Sequence, residues 1–71
     1  MADTDYLKLI GENISRIRKS KSWSSNELAN RCEMEKSNLI PIEKGRINVT
    51  INTLIKIANA LDVSLDDLIK F

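Results

Sequence analysis

The stretch Ser24-Ser25-Asn26-Glu27-Leu28-Ala29-Asn30-Arg31-Cys32-Glu33-Met34-Glu35-Lys36-Ser37-Asn38-Leu39-Ile40-Pro41-Ile42-Glu43-Lys44-Gly45 decides how this chain folds. Ser24 followed three residues later by Glu27 reads as a capping box, with Ser24 at the N-cap and Glu27 at the third helical position. Leu28, Ala29 and Cys32 then fall on one face of a helix of about two turns. Glu33-Met34-Glu35 leaves room only for a tight turn, with Met34 as its buried anchor. The spacing predicts another short helix over Lys36 to Glu43, with Leu39 and Ile42 inward and Gly45 as a left-handed terminator. Such a helix, turn and helix set the second helix across one edge of the molecule.

The pattern continues outward on both sides. Tyr6, Leu7, Ile10, Ile14 and Ile17 recur at the spacing of one helix face. A first helix is expected from Asp5 to Lys19, with Asp3, Thr4 or Asp5 as its N-cap and basic residues in its last turn. Gly11 within it costs up to about 1 kcal/mol relative to alanine, which points to a close neighbour needing the space. Thr50 caps a fourth helix carrying Ile51, Leu54, Ile55, Ala58 and Leu61. Asp62-Val63 makes the next turn. Ser64 then caps a fifth helix, whose Asp66 and Asp67 suit its positive end and whose apolar side holds Leu65, Leu68, Ile69 and Phe71. With no strand pattern, repeat or linker, residues 1–71 read as one all-α domain, a five-helix bundle.

Composition limits the function. The chain has 71 residues, 42% hydrophobic and 30% charged, as in a globular domain rather than a disordered one. Its longest apolar run, Leu39-Ile40-Pro41-Ile42, is far short of the roughly 20 residues that span a bilayer. Met1-Ala2-Asp3-Thr4-Asp5 is acidic and lacks the layout of a signal peptide, so a cytoplasmic location is expected. The single cysteine, Cys32, can form no internal disulfide and fits a small buried hydrophobe better than a nucleophile. There is no histidine, so Cys/His zinc sites, His-based triads and His general bases are absent. No glycine-rich phosphate loop is present. The expectation is a non-enzymatic binding module without cofactor, metal or evident small-molecule effector. Trp23, just before the capping box, reads as a hydrophobic staple rather than a stacking platform.

Net charge is +1, but residues 13–49 hold eight basic side chains against four acidic ones, while both flanks lean acidic. That asymmetry suits a phosphate-facing middle.

Several runs bear a family likeness. Ile10-Gly11-Glu12-Asn13-Ile14-Ser15-Arg16-Ile17-Arg18, Trp23-Ser24 with Glu27-Leu28-Ala29, and Ile42-Glu43-Lys44-Gly45-Arg46 resemble successive helices of Cro/C1-type helix-turn-helix proteins. Thr53-Leu54-Ile55-Lys56-Ile57-Ala58 and Ala60-Leu61, with Val63-Ser64-Leu65 and Leu68, resemble that family's last two helices. The likeness spans residues 9–69. It implies a lambda-repressor-like bundle that binds double-stranded DNA and regulates transcription. An antitoxin-like protein-interaction module is the competing expectation, because Ile40 and Pro41 make the reading face unusually apolar.

In such a fold the third helix enters the major groove. Lys36, Ser37, Asn38 and Ile40 lie opposite Leu39 and Ile42. Lys36 suits guanine or phosphate, Asn38 suits adenine, and Ile40 suits a thymine methyl; the resemblance places Lys36, Ser37 and Ile40 at DNA-facing positions. Phosphate contacts are expected from Ser25 and Asn26 at the start of the second helix. Lys44, Arg46 and Asn48 follow the third helix and are expected to straddle the DNA backbone on its far side, and Arg18, Lys19 and Lys21 to contact phosphate likewise at the end of the first helix. The family commonly has glutamine at the place of Ser25, whose shorter side chain weakens that clamp. Pro41 inside a helix costs about 3 kcal/mol or more, which implies either a kink or a late helix start. Glu35 is a poor N-cap beside a phosphate.

One short helix reading about four base pairs cannot select an operator from a million or more competing sites, so a symmetric homodimer is expected. Ile47, Val49, Ile51, Ile55, Ile69 and Phe71 are apolar residues without an obvious internal partner, and they are the candidate interface.

Overall fold

A computed structural model describes residues 5–71. Five helices run in order: α1 (Tyr6–Ser20), α2 (Ser25–Arg31), α3 (Lys36–Glu43), α4 (Ile51–Leu61) and α5 (Leu65–Ile69). Among the described residues there is no strand. Each start but that of α3 has a short polar cap. Asp5 accepts from the Lys8 N–H, Ser24 from Glu27, Thr50 from Thr53 and Ser64 from Asp67. The other N-cap candidates for α1, Asp3 and Thr4, lie outside the described residues.

The two acidic partners of these serines behave differently. At α5 the box is complete, for the Asp67 carboxylate also accepts from the Ser64 N–H at 3.1 Å. At α2 the Glu27 carboxylate instead takes the Arg31 guanidinium one turn on, at 2.6 Å. The predicted box at Ser24 is therefore only half formed. Glu35 stands at the N-cap of α3 without a side-chain hydrogen bond, as its length implies.

Four helix ends close in one way. Ser22, Glu33, Gly45 and Asp62 have positive φ of 62°, 57°, 69° and 59°. In each case the next residue donates back across the last turn: Trp23 to the Arg18 carbonyl, Met34 to Ala29, Arg46 to Pro41 and Val63 to Ala58. Trp23, Met34 and Val63 pack against the core from those positions, so three of the reversals are sealed by an apolar side chain. Only one of the four left-handed residues is glycine. Of the others, Glu33 has the side chain least able to compensate locally, whereas Asp and Ser form short-range hydrogen bonds. Glu33→Gly is therefore expected to stabilise the fold by about 0.5–1 kcal/mol, read from a urea midpoint at unchanged slope. A loss of stability would show that the turn is not strained at Glu33.

The core is one cluster: Ile14, Leu28, Ala29, Cys32, Leu39, Ile42, Leu54, Ile57, Ala58, Leu61 and Leu68. Ile57 is absent from the face predicted for α4, because that helix is apolar over most of its circumference and two stripes fit it. The observed stripe is Leu54, Ile57, Ala58 and Leu61, leaving Ile51 and Ile55 outside. Gly11 justifies its place. A Cβ there would collide with the Glu43 carbonyl oxygen and sit 2.6 Å from that of Ile42, so α1 and the end of α3 touch backbone to backbone. Gly45, besides its left-handed φ, would drive a Cβ to 2.5 Å from the Lys8 Cα.

Candidate functional site

The helix α3 is fixed on its inner side by Leu39, Ile42 and Glu43. At about 100° per residue, the opposite face belongs to Ser37, Pro41 and Lys44, one turn apart, with Lys36 and Ile40 on one flank and Asn38 on the other. Lys36, Ser37, Asn38 and Lys44 are exposed, and Ile40 and Pro41 are half-buried. The helix runs through Pro41 without a break, so the late start predicted as one alternative does not occur. What Pro41 removes is the N–H that would have met the Ser37 carbonyl. Arg46 and Asn48 lie beyond its end, and both are exposed. Among the described residues, Lys36, Lys44 and Arg46 take part in no ion pair, which leaves their charge available to a ligand.

Arg18 is a correction. Predicted as a phosphate contact at the end of α1, it is 8% exposed and fully engaged. Its Nε and Nη2 donate to the two Glu43 carboxylate oxygens at 2.8 and 2.9 Å, and Nη1 donates to the Trp23 carbonyl at 2.8 Å. A bidentate pair of this geometry fastens α3 to α1 and to the turn before α2. The signal was present in the phase: Arg18 lies one turn beyond Ile14 on the buried face, and Glu43 beside Ile42.

Above this pair lies a groove of about 240 Å³, lined by Ser15, Lys19, Ser25, Ile40 and Lys44, with Arg18 and Glu43 in its floor. It brings together predicted residues from three helices: Ser25 at the start of α2, Ile40 and Lys44 on α3, and Lys19 on α1. Because Glu43 is neutralised by Arg18, the exposed charge at its rim is that of Lys19 and Lys44. Ser15 escaped the sequence reading, since only the crossing of α1 over α3 places it there. Asn26 stands beside Ser25 in the opening turn of α2 and is exposed.

Lys21 and Arg31 have other company. The Arg31 guanidinium lies 4.1 Å and the Lys21 ammonium 5.6 Å from the Trp23 ring centroid. Trp23 therefore works as a packed, cation-covered staple, as predicted, and not as an open stacking surface. Burial pushes the Cys32 thiol above its ordinary range, with Lys56 opposing the shift, so it stays protonated and inert at neutral pH.

The candidate interface residues divide. Ile47, Ile51, Ile55 and Ile69 are exposed, at 43%, 58%, 41% and 39%. Val49 is not left over, because it packs against the core. Phe71 is also exposed, at 61%, with its ring against the likewise exposed Tyr6, the centroids being 5.6 Å apart.

A family model described as a helix-turn-helix domain matches residues 11–70. The uncharacterized HTH-type transcriptional regulator y4dJ of Sinorhizobium fredii is 37% identical over 92% of this chain and 84% of its own length. Control protein C.BamHI of Bacillus amyloliquefaciens is 39% identical over 89% of this chain and 79% of its own. Among solved structures, that of SinR, a master regulator of biofilm formation, in complex with DNA superposes with a TM-score of 0.78. The two are 40% identical over 83% of this chain and 95% of that one. No described helix is long and apolar enough to cross a membrane.

Proposed function

This chain belongs to the Cro/C1-type helix-turn-helix family, and we propose that it is a sequence-specific double-stranded DNA-binding regulator of transcription that lays α3 in the major groove. One observation carries the reading: the opening turn of α3 presents Lys36, Ser37 and Asn38 to solvent, with Lys44 and Arg46, in no ion pair among the described residues, beyond its far end. Base edges are read from such a turn, while flanking cations and the N–H groups of Ser25 and Asn26 hold the phosphates. The groove rim, Lys19 with Lys44, adds charge on the side where α2 begins. Lys36 and Asn38 suit guanine and adenine respectively, and Asn48 extends the phosphate contacts. No step of this reading needs a cofactor or a catalytic group, and its place is the cytoplasm, with the DNA.

Ile47, Ile51, Ile55 and Ile69 are the centre of a two-fold interface in the same reading, with Val49 and Phe71 at its edges. Two copies joined there present two reading helices about 34 Å apart, on successive major grooves.

Selection from a randomised duplex library tests the function. A two-fold symmetric motif with half-sites about one helical turn apart is expected. Recovery of no preferred sequence would defeat it and favour a protein-binding module. On the selected duplex, Lys36→Ala is expected to cost about 1–3 kcal/mol and to relax preference at one position. Arg46→Ala should weaken all sequences alike and flatten the salt slope by about one unit per protomer. Titrations at several salt concentrations separate the two, and indifference to both substitutions would rule out this docking.

A further inference from the structure

We infer that Pro41 is the specificity-determining contact of the reading helix, its ring packing on the C5-methyl group of one thymine per half-site. The inference rests on the DNA-binding reading above and names what that site selects. Three observations carry it. First, Pro41 shares the outermost face of α3 with Ser37 and Lys44, opposite Leu39 and Ile42, so it faces whatever the helix faces. Second, Ser37, one turn before it, is short and exposed, which lets the helix backbone approach the groove floor closely. Third, Lys36 stands before the ring with a base edge in reach, and Lys44 and Arg46, which take part in no ion pair among the described residues, follow it, so their phosphate contacts hold this part of the helix against the groove.

The chemistry then leaves one choice. Proline has no side-chain donor or acceptor and no backbone N–H, so at this position it can form no hydrogen bond with its side chain to a base edge. In the major groove the one apolar feature that distinguishes base pairs is the thymine C5-methyl. A polar edge placed against the ring would lose its water without a replacement partner, so cytosine and adenine edges are disfavoured there. Ile40 was the expected methyl reader. Its side chain lies on the flank toward α1 and α2 and lines the groove with Ser15, Lys19 and Ser25, which leaves the central position to Pro41.

The test uses the whole chain and its selected duplex, with each thymine replaced singly by deoxyuridine, which removes the methyl group and nothing else. One thymine per half-site is expected to lose about threefold to fivefold in affinity, the effect of exposing one buried methyl, with the others unchanged. Pro41→Ala restores the backbone donor and improves helix propensity, so it keeps the fold, as circular dichroism will verify. In that variant, which keeps Cβ but loses the rest of the ring, the uracil penalty should fall well below the wild-type value. Tight binding with every uracil neutral overturns the inference and leaves the DNA-binding function standing. So does a uracil penalty that persists undiminished in Pro41→Ala. Failure to bind any selected duplex overturns the underlying function as well, and is told apart by that.

Discussion

Arg18→Ala is expected to lower the unfolding free energy by about 3–5 kcal/mol. The Arg18 and Glu43 side chains are only 10% and 8% exposed, so removing one leaves the other's charge in a site that water barely reaches. The same substitution removes the donor that holds the Trp23 carbonyl, leaving the ends of the α1–α2 turn joined by backbone hydrogen bonds alone. A chain of 71 residues has about 4–10 kcal/mol in total at the usual stability per residue, so the variant loses from about a third to all of it. Urea titration followed by circular dichroism measures the loss. Arg18→Met combined with Glu43→Leu removes both charges and fills their volume, and it should recover most of the stability. A loss below about 1 kcal/mol for Arg18→Ala would mean the pair behaves as an exposed one, contrary to the geometry.

Ile55→Asp is expected to abolish dimers and to weaken binding of a two-half-site duplex by about a hundredfold or more, since the second half-site is then no longer reached intramolecularly. Ile55 is 41% exposed on the outer stripe of α4, so the charge is tolerated in the monomer and intolerable in a two-fold apolar contact. Folding should be unchanged, and binding to a single half-site should survive. Sedimentation at micromolar concentration reads the first effect and duplex titration the second. Wild-type protein that sediments as a monomer yet binds the full site tightly would remove the dimer from the account.

Local signals carried most of the architecture. Asp5, Ser24, Thr50 and Ser64 are short polar caps, and each begins a helix where a hydrophobic period begins. The helix ends were harder to read, because Ser22, Glu33 and Asp62 adopt the conformation usually marked by glycine. Burial of the next residue in the chain, Trp23, Met34 or Val63, imposes each of those reversals, and that is a tertiary effect. The same divide runs through the site. Lys36, Ser37 and Asn38 were legible as solvent-facing because Leu39 and Ile42 set the helix phase. The phase set Arg18 and Glu43 each on an inward face, but their pairing was not legible, since it joins positions 25 residues apart and a basic residue in a last helical turn already has a local reason to be there. The groove over that pair, which gathers Ser15 and Ser25 from different helices, exists only once α1 crosses α3 at Gly11.

The salt dependence of binding to the selected duplex tests the central claim most directly. With Lys19, Lys44 and Arg46 each neutralising a phosphate, a plot of log affinity against log salt should fall with a slope of about −2.7 per protomer, near −5 for the dimer. A scrambled duplex should bind far more weakly at every salt concentration. Affinity that does not change with salt, or that is the same for both duplexes, would contradict a major-groove reader carried on phosphate contacts.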